Sequence, residues 1–356
     1  MKISNNPELR EAIKTLININ NININVADML NLAFSYTDLM SKEEMYKYIK
    51  EGYSEKEAIV DMLYDFYKID RDNSENNDIM DEYFLDNMKW LSREPFLNDL
   101  YVKTIKDAGR YGKYALKNIN YEPYQLFPYD EISIGENYQE YSAIGFFNKP
   151  FSYLALTEGN NIWMSLNPNE ITTMKPFIDK GHGHVLVLGL GMGYVPFMLA
   201  NKKEVKSITI VEKDQEIINL FNKLIYPKFI NKEKIKIVKG DAIEYVLHND
   251  RFDYIFADLW HSPEDGLPLF IRLKRINPKI DCWLETSLIA LLRRCMLTLI
   301  EENLAGLGDD DYRFSRTATD RVINDFYKET KNTVLNSVDD LNNLLKDETL
   351  LELATR

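Results

Sequence analysis

The sequence has few cysteines, few histidines and a deficit of positive charge. Its 356 residues include two cysteines and four histidines, and 56 acidic side chains outnumber 43 basic ones, which gives a net charge of −13. Cys282 and Cys295 lie on apolar segments without metal-ligand spacing, so neither a disulfide framework nor a cysteine metal site is expected. Because phosphate binding needs a basic surface, nucleic-acid partners are not expected either.

Long apolar runs are also missing. No apolar stretch approaches the length of a membrane span, and no basic and apolar leader opens the chain. These absences predict a cytoplasmic protein without a membrane partner. The run of acidic residues Asp309, Asp310 and Asp311 is expected to be solvated, because consecutive side chains diverge, so no metal site is predicted.

Four short apolar runs alternate with helical patterns in the second half of the chain. They cover residues 184–188, 207–211, 234–238 and 252–257, and each ends in glycine or an acidic residue. This pattern is typical of βαβ units around a parallel sheet, and a further run at 279–285 predicts a fifth strand. The fold class is therefore α/β. Ligands of such sheets bind beyond the carboxyl ends of the strands, where the glycines and acidic residues fall.

A glycine motif follows the first run. Gly189, Gly191 and Gly193 allow a tight turn and a close approach of the backbone to a ligand. A helical pattern follows, and the N-terminus of a helix suits a carboxylate or a phosphate. The dinucleotide fingerprint needs a glycine at the sixth position of the motif, where this chain has Tyr194. The spacing therefore argues against a nicotinamide dinucleotide.

Acidic residues follow the second and third runs. Glu212 can accept hydrogen bonds from both ribose hydroxyls, and Asp241 is placed to accept from the exocyclic amine of adenine. The backbone N–H of Ala242 can donate to an adenine ring nitrogen. Together these residues favour an adenosine lying across the ends of the strands. Glu212 and Asp241 also precede helical patterns, so helix capping is the alternative role for each of them.

In this order and spacing, the motifs at 181–266 resemble the class I S-adenosylmethionine-dependent methyltransferases, and among them the spermidine-synthase-like branch. The resemblance implies a Rossmann-like core and S-adenosyl-L-methionine as cofactor. It implies that Gly189, Gly191 and Gly193 approach the methionine part of the cofactor, Glu212 the ribose and Asp241 the adenine. Because the related architecture often dimerises, a homodimer is expected.

The loop after the fourth run departs from that branch. Spermidine synthases have a second aspartate there, which helps to deprotonate the attacking amine, and this chain has Trp260 and His261 instead. Methyl transfer needs mainly positioning and the removal of one proton, which His261 can accept at neutral pH. Asp258 and His261 are the predicted catalytic residues, and Asp258 is also predicted to bind the methionine amino group or the acceptor. Trp260 is a candidate aromatic wall for the sulfonium or the substrate through cation–π attraction, with a buried loop anchor as its alternative role. For His261 the alternative is a solvated loop residue.

Four regions are predicted: a helical N-terminal domain at 1–125, a small β-rich unit at 126–180, the cofactor-binding core at 181–305 and a helical tail at 306–356. Within the first, residues 17–26 alternate isoleucine with asparagine and are interpreted as a loop between helices, with a short strand as the alternative. Glu170, near the end of the β-rich unit, matches an acidic site of the related branch only loosely.

The predicted function is methyl transfer from S-adenosyl-L-methionine to a small-molecule acceptor, with an amine as one candidate. Two other hypotheses stay open. One is a spermidine-synthase-like aminopropyltransferase that makes a polyamine. The other is a non-catalytic protein whose adenosine site regulates an interaction through the N-terminal domain.

Overall fold

The computed structural model describes residues 1–37, 39–249, 251–306 and 317–356, so the three aspartates at 309–311 lie outside the described residues. The α-helices are α1 Pro7–Ser35, α2 Lys42–Lys50, α3 Glu55–Tyr67, α4 Ser74–Ile79, α5 Glu94–Leu97, α6 Leu100–Thr104, α7 Pro168–Lys180, α8 Tyr194–Ala200, α9 Gln215–Leu220, α10 Ala242–His248, α11 Pro263–Ile276, α12 Glu285–Leu304, α13 Ala318–Glu329, α14 Val338–Leu344 and α15 Asp347–Thr355. Two π-helical segments cover Met80–Leu85 and Phe221–Ile225, and short 3-10 turns cover Tyr226–Lys228 and Lys232–Lys234.

The strands are β1 Lys2–Ile3, β2 Met88–Trp90, β3 Gly109–Tyr111, β4 Tyr114–Tyr121, β5 Phe127–Pro128, β6 Ser133–Ile134, β7 Glu140–Tyr141, β8 Ile144–Phe146, β9 Phe151–Glu158, β10 Asn161–Ser165, β11 Gly183–Leu188, β12 Val205–Glu212, β13 Ile235–Lys239, β14 Tyr254–Ala257, β15 Asp281–Cys282 and β16 Val334–Leu335. They form several sheets, of which two matter for the site.

The larger of these is a parallel sheet in the order β13-β12-β11-β14-β15. This order, in which the chain winds outward from a central strand in both directions, is that of a doubly wound sheet. The predicted α/β class with a parallel sheet is confirmed. The fifth strand is shorter than the predicted 279–285, because Leu284 adopts a left-handed conformation with φ 55° and α12 begins at Glu285.

The second sheet is antiparallel, in the order β10-β9-β4-β3. Strands β3 and β4 precede residue 125, whereas β9 and β10 follow it, so the sheet draws on the chain from both sides of that position. Upstream of β3 the chain is mainly helical, from α1 to α6. After the core, helices α13 and α15 pack against α11 and α12.

The first helix corrects one sequence prediction. Residues 17–26 lie inside α1, so the interpretation as a loop is wrong, and so is the alternative of a strand. Asparagine normally favours turns, because its side chain competes for backbone hydrogen bonds. Here Asn23 is buried and uses that capacity on another segment: its Nδ2 donates to the carbonyl of Tyr138 at 2.8 Å, and its Oδ1 accepts from the N–H of Glu140 at 3.0 Å. Tertiary contacts thus outweigh local preference.

The apolar interior has two large parts. One surrounds the parallel sheet and includes Leu9 and Ile13 of α1 together with the C-terminal helices. The other lies among α1, α3 and the first π-helical segment, and includes Val26 and Leu30. In the part of the chain that the structure describes, no helix is long and apolar enough to cross a membrane.

Candidate functional site

The glycine loop connects β11 to α8. Gly189, Gly191 and Gly193 have φ angles of +97°, +50° and +75°, a region that other residues adopt at a cost. A Cβ atom on Gly189 would lie 2.1 Å from the carbonyl oxygen of Asp258. The first glycine therefore lets the ends of β11 and β14 come together. This is the point where the winding of the sheet reverses, and doubly wound sheets bind their ligands there.

Two tyrosines fix the glycine loop from both sides. The hydroxyl of Tyr101, a fully buried residue of α6, donates to the carbonyl of Met192 in the loop. The hydroxyl of Tyr194, at the start of α8, donates to Asp99 Oδ2 at 3.1 Å. The N-terminal region thus holds the loop in position. The sequence patterns gave no sign of this contact, because nothing in the spacing relates α6 to the glycine motif.

Glu212 lies at the end of β12, beside the glycine loop. Its Oε2 accepts from the N–H of Leu190 at 3.1 Å, and its Oε1 accepts from the N–H of Asp214 at 2.7 Å. Asp214 in turn accepts from the hydroxyl of Tyr114 at 2.8 Å. The structure therefore places Glu212 where it links two loops of the ligand-binding edge. Its contact with a ribose stays a prediction.

Asp241 and Ala242 lie at the end of β13. Asp241 caps α10, because its Oδ1 accepts from the N–H groups of Ile243 at 2.9 Å and Glu244 at 3.1 Å. Ala242 is buried in the first turn of that helix. The capping role considered for Asp241 is thus present. A contact with adenine is compatible with the cap, which uses only one carboxylate oxygen, and stays a prediction.

Asp258 and Glu170 both line a small cavity of about 30 Å³. The cavity also has glycine-loop residues in its wall, and its apolar lining includes Met164, Met174 and Met192. Enclosure by the protein raises the pKa of Asp258 to about 7. Burial raises the pKa of Glu170 well above its usual range, and the negative charge of Asp258 raises it further. A hydrogen bond with the backbone of Ser165 lowers this pKa by a smaller amount. The site therefore holds two carboxyl groups that resist being ionised together.

This carboxyl pair predicts a pH-dependent stability. In the unfolded chain Asp258 releases its proton near its ordinary pKa of 3.8, whereas in the folded chain it keeps the proton up to about pH 7. The folded state thus binds more protons between these values, and the free energy of unfolding falls as the pH rises from about 4 to 7. For Asp258 alone the loss is at most about 4 kcal/mol. Urea unfolding across this range measures it.

Glu170→Gln should make this loss smaller, because it removes a second carboxyl group whose pKa is raised in the folded chain. The matched control is Glu264→Gln, which changes an exposed glutamate and should keep the pH dependence of the unmodified protein. An equal loss of stability in all three proteins would contradict the raised pKa of Glu170.

The loop after β14 is anchored by Trp260. Its ring is buried, its Nε1 donates to the carbonyl of Trp283 at 3.2 Å, and a Cβ atom on Gly266 would lie 2.5 Å from its Cγ. Of the two roles considered for Trp260, the structure has the buried anchor. A second tryptophan, Trp163 of β10, contacts this loop, and its ring centroid lies 4.8 Å from that of His261.

His261 lies on the outer rim of the site. Its side chain is about half exposed, and its Nδ1 is 3.2 Å from Asp265 Oδ2. Partial burial raises the pKa of Asp265, but hydrogen bonds from the N–H groups of Ser262 and His261 lower it by more, so this helix-capping carboxylate is held ionised. The structure does not bring His261 into the cavity that Asp258 lines. A catalytic role for His261 stays a prediction.

Among the described ranges, no group of three or more histidine, cysteine, aspartate or glutamate side chains is arranged to hold a metal ion. The chemistry available at this edge of the sheet is that of carboxyl groups, backbone N–H groups and aromatic rings.

One protein-family model matches the part of the chain that contains the candidate site. Residues 167–272 match the family model described as "Spermine/spermidine synthase domain". The match begins at the cap of α7 and ends within α11, so it includes Glu170, the glycine loop, Glu212, Asp241 and Asp258. A comparison with curated proteins gives no significant match.

A comparison with solved structures gives matches of low sequence identity and low TM-score. A spermidine synthase in complex with the transition state analogue AdoDATO is 16% identical, with a TM-score of 0.29 over 40% of this chain and 54% of that one. Spermidine synthase from Thermotoga maritima is 13% identical, with a TM-score of 0.31 over 49% and 71% of the two chains. MNMC2 from Aquifex aeolicus is 13% identical, with a TM-score of 0.29 over 88% and 96%. This chain spans about half the length of the first structure, and its segment 167–272 is similar to the spermine/spermidine synthase domain.

Proposed function

We propose that this chain transfers a methyl group from S-adenosyl-L-methionine to a small-molecule amine. The observation that carries the proposal is the enclosed pair of Asp258 and Glu170 beside the glycine loop. The match of residues 167–272 to the spermine/spermidine synthase domain supports an adenosylated sulfonium as the ligand of that loop. The carboxyl pair supports an acceptor that carries positive charge.

The residues at the strand ends fit such a ligand in chemistry. Three glycines in the left-handed region leave the backbone of the loop unobstructed by side chains of its own, and Glu212 and Asp241 supply acceptors at the next two strand ends. When bound, the cofactor supplies an alkyl group already activated by the sulfonium charge. The protein then has to position the acceptor in line and remove one proton from an ammonium.

Asp258 is the residue that we assign to this proton. A carboxyl group with a pKa of about 7 is partly ionised at neutral pH, so it can pair with an ammonium and accept its proton. The negative charge of ionised Asp258 raises the pKa of Glu170, so Glu170 keeps its own proton when Asp258 loses one and can donate a hydrogen bond. Two carboxyl groups with separated pKa values are a common arrangement for acid and base roles.

Aminopropyl transfer is the second candidate, and one observation favours it. Glu170 supplies from α7 the second carboxyl group that the loop after β14 lacks. Among the described residues that line the cavity there is no lysine, arginine or histidine to pair with the carboxylate of a full methionine. A decarboxylated donor, whose tail is only cationic, suits this charge. The affinity of the protein for each of the two donors therefore has to be measured.

The test is a calorimetric titration with S-adenosyl-L-methionine, its decarboxylated form and NAD. The variants are Glu212→Ala and, as matched control, Glu204→Ala, which removes an exposed carboxylate at the opposite end of β12. Preference for the full methionine form, lost only in Glu212→Ala, supports methyl transfer. Preference for the decarboxylated form supports aminopropyl transfer, and binding of neither form overturns both.

Product analysis then separates an enzyme from a regulatory binding protein. Diamines and related small amines are offered together with the preferred donor, and the products are identified by mass. Binding without any product from this panel would favour the regulatory hypothesis. We also propose that the protein forms a homodimer, as the related architecture often does, and sedimentation analysis tests this.

A further inference from the structure

Strand β10 contains an irregularity at its centre. Ile162 pairs with Thr157 of β9 and Met164 pairs with Leu156, so Trp163 is an extra residue without a partner in the neighbouring strand. Such a bulge redirects the side chains of its strand and is frequent beside active sites. In this chain two consecutive side chains, those of Trp163 and Met164, contact the ligand-binding edge of the parallel sheet.

Met164 covers the middle glycine of the loop. A Cβ atom on Gly191 would lie 2.3 Å from the sulfur of Met164 and 2.4 Å from its methyl carbon. The side chain therefore fills the space that Gly191 leaves open above its backbone. Met164 also lines the small cavity together with Gly189 and Asp258. The surface that the glycine motif exposes is thus occupied by a side chain from the antiparallel sheet.

Trp163 closes the outer side of the same edge. Its ring meets His261 edge-on, at 4.8 Å between centroids, and meets Tyr114 at 6.2 Å. The hydroxyl of Tyr114 donates a hydrogen bond to Asp214, which follows Glu212 at the end of β12. A row of side chains thus crosses the edge from the end of β12 to the loop after β14. Trp163 itself remains 40% exposed.

We propose that Trp163 and Met164 form a displaceable cover over the ligand-binding edge, which withdraws when an adenosine-containing ligand enters. The inference rests on the proposed function for the identity of the ligand. A cavity of about 30 Å³ has room for one or two water molecules, whereas pockets for small organic ligands measure roughly 300 Å³ or more. Methionine has three rotatable side-chain bonds, so Met164 can leave Gly191 without a shift of the strand.

The cover predicts a faster approach of the ligand when Met164 is shortened. If ligand binds only the open state, the apparent affinity and the association rate are reduced by the fraction of molecules that are open. Met164→Ala should therefore raise the association rate of S-adenosyl-L-methionine or its decarboxylated form by about tenfold. Ile162→Ala is the matched control, because Ile162 is 51% exposed on the same strand and lies before the bulge.

Stopped-flow measurements on the full chain test this expectation, with the melting temperature of each variant as a check on folding. Faster association in Met164→Ala, with Ile162→Ala unchanged, supports the cover. If Met164→Ala and the unmodified protein both bind the ligand, and Met164→Ala associates at an equal or slower rate, the cover is overturned and the proposed function stands. If neither the unmodified protein nor Met164→Ala binds S-adenosyl-L-methionine or its decarboxylated form, the proposed function and the cover are overturned together.

A second variant keeps the test decisive if Met164→Ala fails to fold. Trp163→Ala removes the exposed half of the cover and its contact with His261, and carries the same expectation of faster association. Association no faster than that of the unmodified protein in this variant would overturn the proposal as well.

Discussion

Asp258→Asn is expected to lower kcat by about 100-fold or more with the donor and acceptor that the binding and product measurements identify. The amide has nearly the shape of the carboxyl group but cannot accept the proton of an ammonium or pair with its charge. Because the pKa of Asp258 is raised to about 7, this group is the one best poised to do both near neutral pH. Steady-state kinetics and calorimetry on the same preparation separate lost turnover from lost binding.

The control for this variant lies in the first turn of α11, just after the loop that follows β14. Glu264→Gln removes an exposed carboxylate that stands six residues after Asp258 and does not line the cavity, so this variant should retain the activity of the unmodified protein. Loss of turnover in His261→Ala with full activity in Asp258→Asn would contradict the assignment. It would move the base from the cavity to the rim, where the structure has His261.

Gly189→Ala is expected to have the largest effect on stability, with a loss of about 3 kcal/mol or more in the free energy of unfolding. Two causes add. The residue has a φ of +97°, and an added Cβ would lie 2.1 Å from the carbonyl oxygen of Asp258, a backbone atom that cannot rotate away. Relief of this overlap has to separate the ends of β11 and β14. Urea unfolding measures the loss, and calorimetry should show weakened ligand binding.

Gly52→Ala is the matched control for Gly189→Ala. Gly52 has nearly the same φ, +99°, but no atom lies within 4 Å of a Cβ placed on it. This variant should lose only about 1–2 kcal/mol, which is the cost of the backbone conformation. Equal losses in the two variants would show that backbone strain alone accounts for the effect at Gly189. The close approach to Asp258 would then have no energetic weight.

The elements that the sequence predicted well are those with a local cause. The strands of the parallel sheet are short apolar runs that end at glycine or an acidic residue, and the glycine turn depends on φ angles that only the motif itself has to satisfy. Capping is also local, so both candidate roles of Asp241 were visible and one is observed. The ligand roles of Glu212, Asp241 and Asp258 remain predictions that the experiments above test.

The elements that the sequence missed depend on contacts between distant segments. Within the helical residues 17–26, Asn23 forms hydrogen bonds with the backbone at residues 138 and 140, and no pattern within α1 reveals these partners. The extra residue at Trp163 depends on the pairing of β10 with β9. The loose match of Glu170 to an acidic site was a signal, and its meeting with Asp258 needed the packing of α7 against the sheet.

The first helix has a consequence for how the molecule responds to a ligand. α1 has 29 residues, about 43 Å of helix, and its two halves lie in different apolar interiors. Neither apolar interior can unfold fully without breaking α1, which both share, so the two interiors are expected to unfold as one cooperative unit. Free energy gained by a ligand at the glycine loop would then protect the distant N-terminal helices from hydrogen exchange as well.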